Sequence, residues 1–110
     1  MATDKLAQLV LKIHQNSQQG RIDWQATTRS NAFESAFPRY SVRIFTRGEG
    51  VILAILNEVG ETVEEVADTD LEGLPGAESW WRVMSEIHEM ARRRALGADE
   101  AIDALLKELA

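Results

Sequence analysis

The acidic segment 68–73 has the residue types and spacing that most resemble a metal site. Asp68-Thr69-Asp70-Leu71-Glu72-Gly73 matches the acids and the glycine in the first six positions of a calcium-binding loop. The match then ends, because Pro75 stands at the eighth position and Ser79 stands where the loop needs a bidentate glutamate. The segment is better interpreted as a solvated acidic connection whose aspartates cap a turn.

Neither histidine is placed for metal binding or catalysis. His14 and His88 each lie beside the apolar stripe of a predicted helix, so we interpret both as boundary residues. No G-x-S-x-G elbow organises a serine, histidine and aspartate into a triad. Gly48-Glu49-Gly50 lacks the lysine and helix of a phosphate loop and is typical of a hairpin turn. The sequence therefore predicts no catalytic, metal or cofactor-binding residue, and a protein that is not an enzyme.

Three arginines on one predicted strand form the first candidate interaction site. Arg39, Arg43 and Arg47 share a face with Phe45 between them. Guanidinium groups pair well with carboxylate and phosphate, so this face could bind an acidic or phosphorylated partner. Pairing within the chain is the favoured alternative, because the acids of the last predicted strand are close enough in a meander to neutralise the arginines.

Two adjacent tryptophans form the second candidate site. Helix neighbours point about 100° apart, so Trp80 can enter the core while Trp81 lies at its margin with Ser85 and His88. A partly exposed tryptophan is a good anchor for a protein partner. The equally weighted alternative is that Trp81 covers the edge of the sheet.

Charge is distributed unevenly along the chain. Residues 1–60 carry seven basic and five acidic side chains, whereas residues 61–110 carry five basic and thirteen acidic ones. Such a surface repels phosphates, so nucleic acid is an unlikely partner. It could instead act as an acidic decoy for a basic protein surface. The acids that would form this candidate acidic surface are Glu58, Glu61, Glu64, Glu65, Asp68, Asp70 and Glu72.

The segment from Phe33 to Val66 predicts an antiparallel meander. Turn signals at 48–50 and 57–60 separate stretches of alternating apolar residues. In the first stretch one face is predicted to be buried, and its residues are Tyr40, Val42, Ile44 and Thr46. Val51 to Leu56 is apolar on both faces and needs a second cover, supplied either by this chain or by another molecule. The acids of 61–66 suggest an edge strand.

Helices flank the meander in the predicted fold. Thr3 is a candidate N-cap for a first helix that ends near Gly20, and residues 22–26 suggest a short strand. Pro75 suits the first turn of a later helix, whose stripe of Trp80, Val83, Met84, Ile87 and Ala91 packs on the sheet. After Gly97, a terminal helix has an apolar face formed by Ile102, Leu105, Leu106 and Leu109. We therefore predict an α+β fold with an N-terminal helix, four to five antiparallel strands, and two C-terminal helices that pack on the sheet.

Length and composition favour one globular domain spanning residues 1–110. Of these residues 45% are hydrophobic and 27% are charged, and the formal net charge is -6. No cysteine is present, which is compatible with a reducing compartment and makes the cytoplasm the default location. No stretch resembles a signal peptide or a membrane span, so no membrane association is expected.

Three segments carry a resemblance to known proteins. They are residues 40–44 (YSVRI), 60–66 (GETVEEV) and 91–102 (ARRRALGADEAI). With these segments the chain resembles short bacterial proteins of unknown function. The resemblance implies a bacterial or mobile-element context, and its motifs are scaffold elements that bring no functional residue with them.

The sequence leads to three functional hypotheses. The first is a non-enzymatic protein-protein interaction module, in one version a homodimer, that uses a sheet face or the Trp81 margin. The alternative is the acidic decoy or inhibitor, a nucleic-acid mimic. The third is a small-ligand-binding protein or enzyme with a pocket between sheet and helices.

Overall fold

Five antiparallel strands form a meander at the centre of the molecule. The computed structural model describes residues 2–110, apart from the side chain of Ala2. The strands pair in chain order. They are β1 (Gln25–Ala26), β2 (Phe33–Ala36), β3 (Ser41–Arg47), β4 (Gly50–Leu56) and β5 (Thr62–Ala67). The helices are α1 (Ala2–Gln18), a 3-10 helix (Asp68–Leu71), α2 (Trp80–Leu96) and α3 (Ala98–Glu108). The predicted α+β fold class is therefore confirmed.

Tight turns join the strands where the glycines and the proline predict them. Gly48 has a φ of +62° between β3 and β4, and Gly60 has a φ of +89° between β4 and β5, conformations that favour glycine. Pro38 lies in the β2–β3 turn, which Phe37 closes by donating its backbone N–H to the carbonyl oxygen of Tyr40 at 2.8 Å. Tyr40 precedes β3 and is exposed, although its parity predicted burial.

The inner face of the sheet holds the main core. Ile44 on β3 lies opposite Phe33 on β2 and Leu53 on β4, and Leu53 in turn lies opposite Val66 on β5. All four side chains are almost fully buried. The face of α2 that packs above them consists of Trp80, Met84, Ile87 and Ala91.

The first helix lies against α2 and the 3-10 helix. Its buried residues are Ala7, Val10 and Ile13. Thr3 is inside α1 because the helix already includes Ala2, so its predicted N-cap role is wrong. Gly20, with a φ of +70°, follows the C-terminal end of α1 as predicted.

The second helix begins later than the proline predicted. Ser79 is the N-cap of α2, and its hydroxyl accepts the backbone N–H of Arg82 at 3.1 Å. Pro75 therefore lies in the connection that precedes the helix, outside its first turn. Gly97, with a φ of +66° and a ψ of +43°, ends α2 and is followed directly by α3.

The last helix does not pack on the sheet. Every residue from 101 to 110 is exposed, and the main contact of α3 is with the end of α2. The prediction that two C-terminal helices pack on the sheet is thus right for α2 and wrong for α3. The physical reason is that α2 already covers the inner face of the sheet, with α1 packed beside it. Within residues 2–110, no helix is long and apolar enough to cross a bilayer.

Candidate protein-interaction surfaces

The second face of the sheet is closed by this chain's own side chains. A separate cluster of buried residues lies on it, formed by Ala32, Phe45, Ile52, Ala54 and Leu56. No residue of this cluster comes from a helix. The guanidinium carbons of Arg29 and Arg47 lie 5.3 and 5.6 Å from the centroid of the Phe45 ring, a distance at which cation–π attraction operates.

Two arginines of the predicted cationic face are paired within the chain. Arg43 donates to Glu34 Oε1 at 2.7 Å, and the two residues are direct cross-strand neighbours on β3 and β2. Arg47 donates to Glu65 on β5 at 3.1 Å. The aliphatic stems of such side chains can cover apolar surface while their charges stay hydrated. Phe45 is only 6% exposed under this layer, so its ring is not accessible to a partner.

Arg39 lies apart from the other two arginines, at one end of the sheet. Here the β2–β3 and β4–β5 turns meet in a shallow concavity of about 220 Å³. Its lining residues include Arg39, Tyr40 and Val59, all of them exposed. The structure therefore does not bring the three predicted arginines together into one unpaired patch.

The second candidate site, formed by Trp81, Ser85 and His88, is partly occupied by contacts within the fold. Trp81 is 54% exposed, while its neighbour Trp80 is 2% exposed, as the helical spacing predicted. The indole Nε1 of Trp81 donates to the carbonyl oxygen of Glu49 at 3.2 Å, which ties α2 to the β3–β4 hairpin. His88 Nε2 lies 2.9 Å from the carbonyl oxygen of Asn31. Ser85, one turn from Trp81, is half-buried.

Two acids of the predicted acidic surface accept hydrogen bonds from backbone N–H groups. Asp68 is buried, and its Oδ1 accepts the backbone N–H of Val51 at 2.9 Å. Asp70 Oδ2 accepts the backbone N–H of Ala67 at the same distance. The segment that resembles half a calcium loop is thus a 3-10 turn. Asp70 caps this turn, as the alternative interpretation predicted, but Asp68 is buried rather than solvated. Among residues 2–110, no group of three or more His, Cys, Asp or Glu side chains is arranged to hold a metal ion.

The remaining acids of that stretch do not form one surface. Successive residues of a strand point to opposite faces, so Glu64 and Glu65 lie on different sides of β5. Glu65 is paired with Arg47. Glu58, Glu61 and Glu72 are exposed and lie in the turns before and after that strand. The acidic stretch is therefore divided between two faces and a hairpin end.

The arginine run at the end of α2 also has acidic partners. Arg92 donates to Glu89 Oε1 at 2.7 Å, and this hydrogen bond holds the pKa of the Glu89 carboxyl below its usual value. Arg93 is paired with Asp99 at the start of α3. These pairs fix charges around the end of α2 and link it to the first turn of α3.

The apolar stripe of α3 is the largest group of large apolar side chains left exposed. Ile102, Leu105, Leu106 and Leu109 are 48%, 59%, 64% and 81% exposed. Their i, i+3, i+4, i+7 spacing places them on one face of the helix. This is the spacing of a helix that buries one face, yet within the described chain nothing buries it.

A second open surface lies on α1 and is lined by polar, basic and apolar side chains. A concavity of about 600 Å³ runs along the outer side of this helix. Leu9 and Leu11 supply its apolar part, and Lys5 and Lys12 are its only charged lining residues. Neither lysine has an ion-pair partner among residues 2–110.

Sequence reasoning identified the α3 stripe but predicted that its helix packs on the sheet. The signal that was missed is the number of helices relative to the size of the sheet. The strands of the sheet span seven residues at most, and its inner face is already covered by α2 with α1 packed beside it. A third amphipathic helix is therefore left without a place.

Comparison with protein-family models, with curated proteins and with solved structures found no match to this chain.

Proposed function

We propose that this protein is a non-enzymatic interaction module that binds protein through the apolar stripe of α3. One observation carries the proposal: four large apolar side chains at helical spacing are between 48% and 81% exposed. Burying apolar surface stabilises a complex by about 25 cal/mol per Å². Large exposed apolar patches on a folded protein are typical of protein interfaces.

The length of α3 supports the same proposal. An isolated helix shorter than about 12–15 residues is marginal in water, and α3 has 11 residues. Its helical form is assisted by acids in its first turn and by Lys107 in its last turn, where each charge complements the helix dipole. Packing of the stripe against a partner would supply the stabilisation that its own domain does not.

The non-enzymatic part of the proposal is supported by what the histidines do. His14 Nε2 lies 2.8 Å from Glu86 Oε1 and links α1 to α2. His88 contacts the carbonyl oxygen of Asn31, and its ring lies 5.5 Å from the ring of Phe33. Both imidazoles therefore hold elements of the fold together. The lack of cysteine is compatible with the reducing cytoplasm of a bacterium, which we propose as the location.

The acidic decoy receives less support than the interaction module. Its acids are split between two faces of β5 and the adjoining turns, and Asp68 is buried. A nucleic-acid mimic needs a continuous array of exposed charges, as the phosphate backbone has. The α3 stripe needs no such rearrangement to meet a partner.

Photo-crosslinking from α3 tests the proposal. Leu106 is replaced by benzoyl-phenylalanine, and the matched control carries the same group at Thr28, an exposed position in the turn before β2. On irradiation in the producing cells, we expect discrete protein adducts from position 106. They should disappear when Ile102→Gln and Leu109→Gln are added, because these changes make the stripe polar without breaking the helix.

The control position gives the background of crosslinking against which adducts from position 106 are judged. We expect Thr28 to give only a diffuse background. If position 106 gives no discrete adduct above that background, the proposal that α3 binds protein is wrong.

A further inference from the structure

We infer that the partner is a different protein that receives α3 in an apolar groove with a lysine or arginine on each of its two rims. This inference rests on the proposed function, because it gives the chemistry of the partner that the α3 stripe binds. Two observations on α3 lead to it, namely the small area of the stripe and the acids that border it.

The stripe is small for a protein interface. Its four side chains are between 48% and 81% exposed, and covering them completely would bury on the order of 300 Å² of apolar surface. Specific interfaces bury roughly 800 Å² on each partner. A second helix that touches only the stripe would cover too little of α3. A groove also encloses the sides of the helix, so it is the better form of partner.

Each side of the stripe is bordered by an acid. Successive helix residues turn by about 100°, so Asp103 borders the stripe on one side and Glu108 borders it on the other. Both side chains are exposed, and neither forms an ion pair with another residue of the described chain, 2–110. Asp99, by contrast, is already paired with Arg93. Lys107 lies on the far side of the helix, so it does not offset the charge of either border.

The borders determine what the walls of the groove must carry. A groove that encloses the sides of α3 removes water from Asp103 and Glu108, which is costly unless each carboxylate is paired and hydrogen-bonded. Lysine and arginine provide such a pair, and arginine can do so with two parallel hydrogen bonds. The two acids are five residues apart, so the rim cations should lie about 7.5 Å apart along the helix axis, one on each rim.

The same charges disfavour α3 of a second copy as the occupant. If two α3 helices packed stripe to stripe, the Asp103 border of one would face the Asp103 border of the other in an antiparallel pair and the Glu108 border in a parallel pair. Acids would meet acids in both orientations, and such like charges oppose association. Two whole chains, each with a formal net charge of -6, would also repel each other. Charge complementarity therefore favours a basic partner of different sequence.

Charge reversal at the two borders tests the inference, with benzoyl-phenylalanine at position 106 as the probe. One chain carries Asp103→Lys and Glu108→Lys in addition to the probe. In the producing cells, we expect this border reversal to lower the yield of the discrete adduct by about tenfold or more, because cationic rims would repel the new lysines. Circular dichroism of the purified chain checks that it is folded.

The matched control carries the same probe with Glu58→Lys and Glu72→Lys. These two acids are exposed and lie outside α3, and their reversal changes the net charge of the chain by the same amount. We expect the control to give the adduct yield of the chain with the probe alone. A loss confined to the border reversal would therefore reflect the borders of α3 and not the total charge.

Mass spectrometry of the adduct identifies the partner and allows a reciprocal test. We expect one copy of this chain joined to a protein of different sequence. Replacing the Lys or Arg residues near the crosslinked site of that protein by Glu should restore the adduct of the border-reversal chain. If no such replacement restores it, the borders do not contact basic rims and the inference is wrong.

Other results overturn the inference in distinguishable ways. If the adduct contains only this chain, the occupant is a second copy. If border reversal gives the same yield as the control, the groove has no basic rims. Discrete adducts remain in both cases, so the proposed function stands. If position 106 gives no discrete adduct even without the charge changes, the proposed function is wrong and the inference fails with it.

Discussion

At the scale of single residues, Asp68 shows how a motif that resembles a metal site serves the fold. Its carboxylate is buried and accepts the backbone N–H of Val51 at the start of β4. A Cβ added to Gly50 would lie 3.2 Å from the same carboxylate, so the glycine allows the close approach. The acid therefore fixes the 3-10 helix against the sheet.

Replacement of Asp68 by alanine should destabilise the protein clearly. We expect the free energy of unfolding to fall by about 1–3 kcal/mol, because the buried N–H of Val51 loses its only side-chain acceptor. Urea denaturation measures the change. Glu72→Ala is the matched control, since this nearby acid is exposed and should change stability by no more than about 0.5 kcal/mol. Equal effects of the two substitutions would show that Asp68 has no such role.

At the scale of elements, the sheet is covered differently on its two faces. Helices cover the inner face, whereas arginines and glutamates of the strands and of the turn before β2 cover the outer one. The two-sided apolarity of β4 therefore does not require a second molecule. The uncovered apolar face of this protein therefore lies on α3 and not on the sheet.

Phe45 tests whether the outer face is a true core. We expect Phe45→Ala to lower the free energy of unfolding by about 3 kcal/mol or more, as for other buried phenylalanines. The comparison is Phe37→Ala, since Phe37 lies exposed in the β2–β3 turn and should have a much smaller effect. Thermal or urea unfolding measures both. Similar small losses for the two would mean that the arginine layer does not hold Phe45 in a packed cluster.

Much of the architecture follows from local sequence pattern. The alternation in β3, the turns at Gly48 and Gly60 and the stripe of α2 each depend on residues close together in the chain. Features that depend on residues distant in the chain could not be predicted in the same way. Arg43 pairs with Glu34 across the β2–β3 register, and the start of α2 depends on the Ser79 cap rather than on Pro75.

For the same reason, only part of the candidate site could be predicted from the sequence. The apolar stripe of α3 follows from spacing alone. Whether that stripe is buried depends on how much of the sheet the earlier helices have already covered, which is a property of the assembled fold.

At the scale of the whole molecule, the chain consists of a packed body and a projecting helix. The body is the sheet with α1 and α2, whose inner side chains form one continuous core. The projecting helix contributes no buried residue. The longest extent of the molecule is 54 Å and its shortest is 27 Å, which agrees with such an elongated shape. We account for this shape by proposing that α3 exists for a partner rather than for its own body.

Amide hydrogen exchange in the monomer tests this account most directly. With the protein diluted until light scattering shows only single chains, we predict that the amides of α2 are strongly protected and those of α3 exchange nearly as fast as in an unfolded peptide. We predict that protection of α3 appears when its partner is present. Protection of α3 equal to that of α2 in the monomer would contradict the account, because it would show that the helix is already packed on its own body.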